Sequence, residues 1–261
     1  MGTAAIRVRD LGKRYRTGRV RPIHALHERL ESLVRAPFRG SDGASELEHI
    51  WALHDVSFDV RRGEILGVIG ANGAGKSALL KILARVTKPT CGYAELHGRV
   101  SGMLEADVGF HPELTGRENI SLSGAILGMR RREIERKVDD IVAMAGIERF
   151  LDTPVKRYSS GMRVRLALAV ATQLEPEIML LDERSSRLAT SSFTCNVSRR
   201  LREMARAGRS VLIVSHNMHT IESLCERTIH LSAGRLVGDG KPADVVAGYL
   251  TEHSRRTSAA G

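Results

Sequence analysis

The chain has 261 residues and a formal net charge of +10. This length permits one large domain or two small ones, with an independent core in either case. The longest uncharged apolar stretches, such as Ile178–Leu181 and Val211–Val214, are too short to cross a bilayer, so we expect a soluble, cytoplasmic protein without a signal peptide. Three widely spaced cysteines with no C-x-x-C pair predict neither a disulfide framework nor a zinc site.

The positive charge is unevenly distributed. Residues 1–40 carry ten Arg or Lys and three acidic residues, which leaves a net charge of +7 in that part. A basic surface can meet nucleic acid, anionic lipid headgroups or an acidic protein, and it can also be an arginine-rich surface that only keeps the protein soluble. The sign of the charge does not choose among these interpretations.

The first strands flank a segment of different character. Ala5–Tyr15 and Trp51–Val60 alternate apolar and polar residues, which predicts two half-exposed strands. Between them, an insert at residues 16–50 contains a basic amphipathic helix. Two interpretations stay open, a helix that lies on a membrane or a membrane partner and a helix that packs on its own domain. The helix is predicted from an apolar stripe at Ile23, Leu26, Leu30, Leu33 and Val34.

The segment Gly70–Ser77 reads GANGAGKS and fits the pattern G-x-x-x-x-G-K-[ST]. A buried strand is predicted before it at Ile65–Ile69, and a helix after it at Ala78–Val86. Glycines allow a tight turn with inward N–H groups, and the helix N-terminus faces the same anion. Lys76 should reach the β and γ phosphates of a nucleotide, and the Ser77 hydroxyl should ligate Mg²⁺. The predicted nucleotide contacts here are Gly70, Ala71, Asn72, Gly73, Ala74, Gly75, Lys76, Ser77 and Ala78.

Further along, Asp182 and Glu183 follow the apolar run Ile178–Leu181, which places two carboxylates at the carboxyl end of a parallel strand. Ser210–Ser215 repeats this pattern and is followed by His216. The remaining predicted elements are a strand at Ala94–Val100, helices at Glu118–Leu127, Arg131–Ala145, Met162–Leu174 and about His219–Glu226, a hairpin at Thr228–Asp239, a helix at Pro242–Leu250, and a polar, flexible tail at residues 251–261.

Four motifs in this order resemble the ATP-binding subunits of ABC transporters. They are the phosphate loop, YSSGM at Tyr158–Met162, LLDE at Leu180–Glu183 and SHN at Ser215–Asn217. The YSSGM variant, GFHPELTGREN at Gly109–Asn119 and the insert resemble the subfamily that exports lipid-linked polysaccharides such as O-antigen and teichoic acid. The resemblance implies an α/β P-loop NTPase fold with a largely parallel central sheet, an antiparallel β subdomain and a helical subdomain at residues 117–175. All of these would form a single ATP-binding domain over residues 1–250.

The resemblance also implies roles for individual residues. Asp182 would help to hold Mg²⁺ through water, and Glu183 would polarise the attacking water as general base. His216 would contact the γ phosphate. Tyr15 would stack on adenine, although it could equally be a plain strand-end tyrosine. The signature residues Ser159, Ser160 and Gly161 would contact ATP held by the opposite subunit.

The implied cofactors are ATP and Mg²⁺, and the implied partners are a second copy of the chain and an integral membrane permease. A lipid-linked polysaccharide would be the transported substrate, and the protein would sit peripherally on the cytoplasmic side of the inner membrane. Nucleic acid is not an expected partner. By resemblance, ABC ATPases that act on nucleic acid usually carry two nucleotide domains in one chain or a long coiled-coil insertion, and this sequence shows neither.

One stretch departs from the family pattern. After LLDE the chain has Arg184–Ala189, with Ala189 near the position of an aspartate that couples the two nucleotide sites in the exporters. The glutamine expected before GFHPELTG is also absent, and Ala78 replaces a threonine. Two alternatives therefore accompany the transport ATPase, namely a nucleotide-binding regulator with impaired hydrolysis and a non-transport ABC ATPase that acts on nucleic acid.

Overall fold

A computed structural model describes residues 4–17, 48–103, 110–126, 128–173, 176–182 and 191–258. The strands in these ranges are β1 (Ala4–Thr17), β2 (Glu48–Arg61), β3 (Ile65–Ile69), β4 (Cys91–Leu96), β5 (Val100–Met103), β6 (Ile178–Leu181), β7 (Ser210–Val214), β8 (Arg227–Ser232) and β9 (Arg235–Gly240). The α-helices are α1 (Lys76–Leu83), α2 (Gly116–Ile126), α3 (Arg131–Ala145), α4 (Ser160–Gln173), α5 (Ser191–Arg206), α6 (Met218–Leu224) and α7 (Pro242–Ser258).

The larger sheet is mostly parallel and has the strand order β5-β6-β7-β3-β8-β9. Only β9 runs antiparallel to its neighbour in this sheet. Every residue of β3, β6 and β7 is buried, because helices cover both faces and the sequence supplies uninterrupted apolar runs. The predicted central sheet is confirmed.

The smaller sheet is antiparallel, with the order β2-β1-β4. Helix α1 lies between the two sheets, since Leu79, Leu80 and Leu83 share one core cluster with strands of both. A second cluster lies on the other face of the parallel sheet and is formed with α5, α6 and α7. The phosphate loop therefore leads into a helix that is held from two sides.

The helical subdomain has its own core, formed by α2, α3 and α4. The chain enters α2 through a loop at residues 111–115, and this loop is organised by the fully buried amide of Asn119. Its Oδ1 accepts from the N–H of His111 at 2.7 Å, and its Nδ2 donates to the carbonyls of His111, Leu114 and Thr115 at 3.0–3.1 Å. One side chain thus satisfies four backbone groups of the loop.

Two predicted boundaries were wrong. The single strand expected at Ala94–Val100 is two strands, β4 and β5, in different sheets, because the chain turns at Gly98 with φ 146°. The last helix does not end at Leu250 but continues to Ser258, so most of the tail expected at residues 251–261 is helical. Polar residues such as Glu252, Arg255 and Arg256 have good helix propensity, so a polar composition alone does not end a helix.

The insert predicted at residues 16–50 is shorter at both ends, because β1 extends to Thr17 and β2 begins at Glu48. The amphipathic helix expected within it lies outside the described residues. Among the described residues, no helix combines the length and the apolar composition needed to cross a membrane.

Arg227 connects the two sheets at the edge opposite the phosphate loop. Its guanidinium donates to both carboxylate oxygens of Asp239 at 2.5 and 2.6 Å, to Oε1 of Glu64 at 3.2 Å and to the carbonyl of Asp59 at 2.8 Å. Glu64 is only 6% exposed. Hydrogen bonding to Asp239 raises the pKa of Arg227 above its ordinary value, so this side chain stays charged.

We expect Arg227→Met to lower the free energy of unfolding by about 3 kcal/mol, because it leaves the buried Glu64 carboxylate without its guanidinium. Arg235→Met is the matched control, since Arg235 is exposed on the neighbouring strand. It should cost less than about 0.5 kcal/mol. Urea denaturation followed by circular dichroism measures both, and equal losses would contradict a structural role for the Arg227 network.

Candidate nucleotide-binding site

Three neighbouring parallel strands deliver the predicted site residues to one edge of the sheet. In the ladder, Leu181 of β6 lies opposite Ile213 of β7, and Val214 of β7 lies opposite Val68 of β3. Asp182, His216 and Gly70 are each within two residues of the ends of these strands. Because adjacent strands are about 4.8 Å apart, the three segments are brought together.

The phosphate loop has the backbone conformation that its glycines predict. Gly70, Gly73 and Gly75 have φ of 152°, 80° and 105°. A Cβ at Gly70 would collide with the Leu231 carbonyl, and one at Gly75 would collide with the Ala52 carbonyl. The loop is therefore wedged between β8 and β2, and these two positions have no room for a side chain.

Lys76 is the first residue of α1 and is 92% buried, since its relative exposure is 8%. Its ammonium donates to the carbonyls of Gly70 at 2.6 Å and Ala71 at 3.0 Å, so the loop wraps around its own cation. Burial lowers the pKa of Lys76, and the charge of Asp182 partly opposes that shift. Ser77 is exposed beside it, whereas Ala78 points into the core.

His216 is half-buried at the same edge. Burial lowers the pKa of His216, the charge of Lys76 lowers it further, and the charge of Asp182 opposes both effects. The three side chains are therefore close enough to sense one another electrostatically. The backbone here is fixed by Asn217, whose N–H donates to the Ser215 hydroxyl at 3.0 Å and whose side chain caps α6 by accepting from Thr220 N–H at 3.2 Å. Asn217 was quoted only as part of the SHN motif, and its capping role was missed.

Tyr15 lies on β1, which pairs with the strand that contacts the phosphate loop. It is opposite Ile50 in β2, while Lys13 on the same strand is opposite Leu53. A Cβ at Gly75 would lie 2.8 Å from Leu53 Cδ2, so this end of the small sheet abuts the loop. The ring of Tyr15 is 41% exposed. An exposed aromatic face beside a phosphate loop fits the predicted adenine contact.

The signature residues lie at a different place, at the start of α4. Ser159 is the N-cap, because its hydroxyl accepts from Met162 N–H at 3.2 Å. Ser159 and Ser160 are exposed, and Gly161 is half-buried. Tyr158 is buried and donates to the Phe150 carbonyl at 2.7 Å, which anchors the motif in the helical subdomain. In the described residues, the hydrogen bonds of Ser159 stay within its own helix.

Glu183 and the altered stretch Arg184–Ala189 lie outside the described residues. Their predicted roles stay predictions. Three contributions were missed by the sequence analysis, namely the cap formed by Asn217, the amide of Asn119 within α2 and the side chain of Lys13 beside Tyr15. An asparagine four residues after the end of a loop and a lysine two residues before a tyrosine are too common to be signals on their own.

The family model described as ABC transporter matches residues 53–186 of the chain. The O-antigen export system ATP-binding protein RfbB of Klebsiella pneumoniae is 38% identical over 226 residues, which cover 87% of this chain and 91% of that protein. The chain belongs to the ABC transporter family.

Other relatives and solved structures agree with this assignment. The teichoic acids export ATP-binding protein TagH of Lactococcus lactis is 39% identical over 80% of this ABC chain and 44% of that protein, and the RfbB protein of Myxococcus xanthus is 35% identical over 94% of this chain. The chain spans 55% of the Myxococcus protein. A dimeric ATP-binding cassette bound to ADP and Pi has 22% identity, a TM-score of 0.71, and coverage of 91% of this chain and 98% of that chain. This likeness confirms the predicted ABC ATPase fold.

The electrostatic coupling at the site predicts opposite shifts for two variants. Lys76→Met removes a charge that lowers the pKa of His216, so that pKa should rise. Asp182→Asn removes a charge that raises it, so the pKa should fall. NMR titration of the histidine ring protons, assigned with His216→Gln, measures both. Shifts in the same direction would show that the three groups do not form one site.

Proposed function

We propose that this ABC chain binds and hydrolyses MgATP, dimerises around it, and powers export of a lipid-linked cell-surface polysaccharide through a separate membrane subunit. The observation that carries the proposal is the edge of the sheet where the phosphate loop, Asp182 and His216 meet. A loop with inward backbone N–H groups, a buried lysine and a helix N-terminus provides what a triphosphate needs.

Metal binding would complete the charge balance at this edge. Ser77 and Asp182 offer oxygen ligands, and Mg²⁺ prefers a few protein oxygens together with phosphates and water. The ion, when bound, would neutralise charge on the β and γ phosphates. The chain's own contribution is to hold Lys76 in the loop, to place Asp182 near Lys76, and to keep His216 where it would meet the terminal phosphate.

Hydrolysis would depend on Glu183, the residue after Asp182. A carboxylate there would accept a proton from the attacking water, and His216 would help to align that water. Burial and the charge of Lys76 lower the pKa of His216, and the charge of Asp182 opposes them.

Dimerisation would bring the two separate halves of the site together. The N-terminus of α4 is exposed at Ser159 and Ser160, it points N–H groups outward, and the 14-residue helix adds a partly positive end. In a head-to-tail dimer, this terminus would meet the γ phosphate held by the partner's loop. ATP would thus join two surfaces, and its hydrolysis would release them.

Transport of a glycan is supported by the relatives, whose names refer to O-antigen and teichoic acid export. The passage itself would belong to a separate permease subunit, with this chain bound to its cytoplasmic side. The changed residues Arg184–Ala189 motivate one alternative, a regulator that binds ATP without turning it over, which the names of the relatives do not favour.

We expect Glu183→Gln to reduce phosphate release about 10²- to 10⁴-fold, the usual contribution of a general base. The assay uses the chain assembled with its membrane partner. Glu177→Gln is the matched control, because Glu177 stands at the opposite end of β6 and pairs with Arg99. It should leave the rate within about twofold. Equal rates for wild type and Glu183→Gln would reject this base, and tight ATP binding with no hydrolysis by the wild type would favour the regulator.

The dimer is tested separately from hydrolysis. With Glu183→Gln as background, MgATP should convert the chain to a dimer in light scattering. Ser159→Glu should abolish this conversion, because its carboxylate would repel the γ phosphate. Ser121→Glu, at an exposed serine of α2, introduces the same charge in the same subdomain and should not. A dimer that survives Ser159→Glu would contradict the shared site.

A further inference from the structure

Lys13 and Tyr15 form a cation–π pair at the edge of the small sheet. The Lys13 ammonium lies 5.2 Å from the centre of the Tyr15 ring. The same ammonium donates to the Lys88 carbonyl at 2.7 Å, so its position is fixed by the backbone of another segment. One face of the ring is thus covered by a tethered cation, and the ring remains 41% exposed.

The segment that holds Lys13, Lys88–Thr90, follows the phosphate-loop helix α1. Thr90 N–H donates to the Gly12 carbonyl at 2.7 Å, and the Thr90 hydroxyl accepts from Arg14 N–H at 3.0 Å. The start of this segment is joined to the last turn of α1, since Val86 and Thr87 both donate to the Lys81 carbonyl. The short backbone stretch at residues 86–90 is therefore hydrogen-bonded to α1 at its start and to the residues around Tyr15 at its end.

The other side of the same strand pair touches the phosphate loop directly. Leu53, opposite Lys13, packs against Gly75. Tyr15 is therefore held from two directions, through Lys88–Thr90 at the far end of α1 and through β2 at its near end. The strand that carries Tyr15 is thus connected to both ends of α1 in the absence of nucleotide.

We propose that Lys13 is a positioning residue for base recognition, which orients the Tyr15 ring so that its open face receives adenine at the correct distance from the phosphate loop. This inference rests on the proposed function, in which Tyr15 stacks on adenine. Fixing the ring in advance removes part of the ordering cost of binding, and the effect applies only to ligands that carry a base.

Two ligands, ATP and inorganic tripolyphosphate, separate an effect on base binding from a general effect on phosphate binding. The affinity of the full chain for each ligand is measured by calorimetry in the presence of Mg²⁺. Lys13→Met should weaken ATP binding about three- to tenfold, the range expected for one cation–π contact. The affinity of Lys13→Met for tripolyphosphate should not change, and this unchanged affinity would also show that the phosphate loop of the variant is folded. Lys13→Arg should restore most of the ATP affinity.

Arg14→Met is the matched control, because the Arg14 guanidinium lies 5.6 Å from the Trp51 ring and not over Tyr15. It removes the same charge one residue away and should leave both affinities unchanged. If Lys13→Met weakens the binding of both ligands equally, the inference is wrong, because the substitution then acts on the phosphate loop. If Arg14→Met weakens ATP binding as much as Lys13→Met does, the inference is also wrong, because the effect is then one of general charge.

Tyr15→Ala distinguishes failure of the inference from failure of the proposed function. If Tyr15→Ala weakens ATP binding and Lys13→Met does not, the adenine contact stands and the role of Lys13 is rejected. If Tyr15→Ala leaves ATP binding unchanged, the adenine contact itself is rejected together with this inference.

Discussion

The parallel pairing of β6, β7 and β3 is the constraint on which the rest of the structure depends. Each strand is buried along its whole length, so the hydrogen bonds between them cannot be exchanged for water and the register is strongly specified. That register puts Asp182, His216 and the phosphate loop at one edge. A shift of one residue would turn every side chain to the other face and would separate the charged groups that now influence one another.

The site places the positive charge of Lys76 near the negative charge of Asp182 in a partly buried environment. Burial lowers the pKa of Lys76 and the charge of Asp182 partly opposes that shift, while two carbonyls of the loop accept hydrogen bonds from the Lys76 ammonium. The same cation lowers the pKa of His216. The cradle for an anion thus exists before the anion binds, which reduces the reorganisation that binding would require. The signature serines, in contrast, face outward on a separate subdomain, and they need a second molecule to take part.

Much of this arrangement could be predicted from the sequence, because the decisive signals are local. Four-residue apolar runs followed by Asp182 or His216, and glycines at 70, 73 and 75, each specify a short piece of backbone. The predicted boundary between strands was wrong where a contact between residues far apart in the sequence determines the structure. The turn at Gly98, which separates β4 from β5, is set against Glu177, a residue far along the chain. The extension of α7 to Ser258 has a different reason, because polar residues with good helix propensity do not end a helix. The link from Lys13 to Lys88 spans 75 positions and has no sequence signature.

The amide of Asn119 limits how the helical subdomain can change during evolution. It gives hydrogens to three carbonyls and takes one from an N–H, and it is completely buried. Aspartate has the same shape but no hydrogens to give, and leucine would leave the His111 N–H without its acceptor and would remove one of two donors from each of the three carbonyls. Neighbouring positions of the loop, such as the exposed His111, Pro112 and Glu113, can drift freely in a lineage. Asparagine both accepts from the His111 N–H and donates to the carbonyls, so position 119 of α2 should vary less than the exposed positions of the loop.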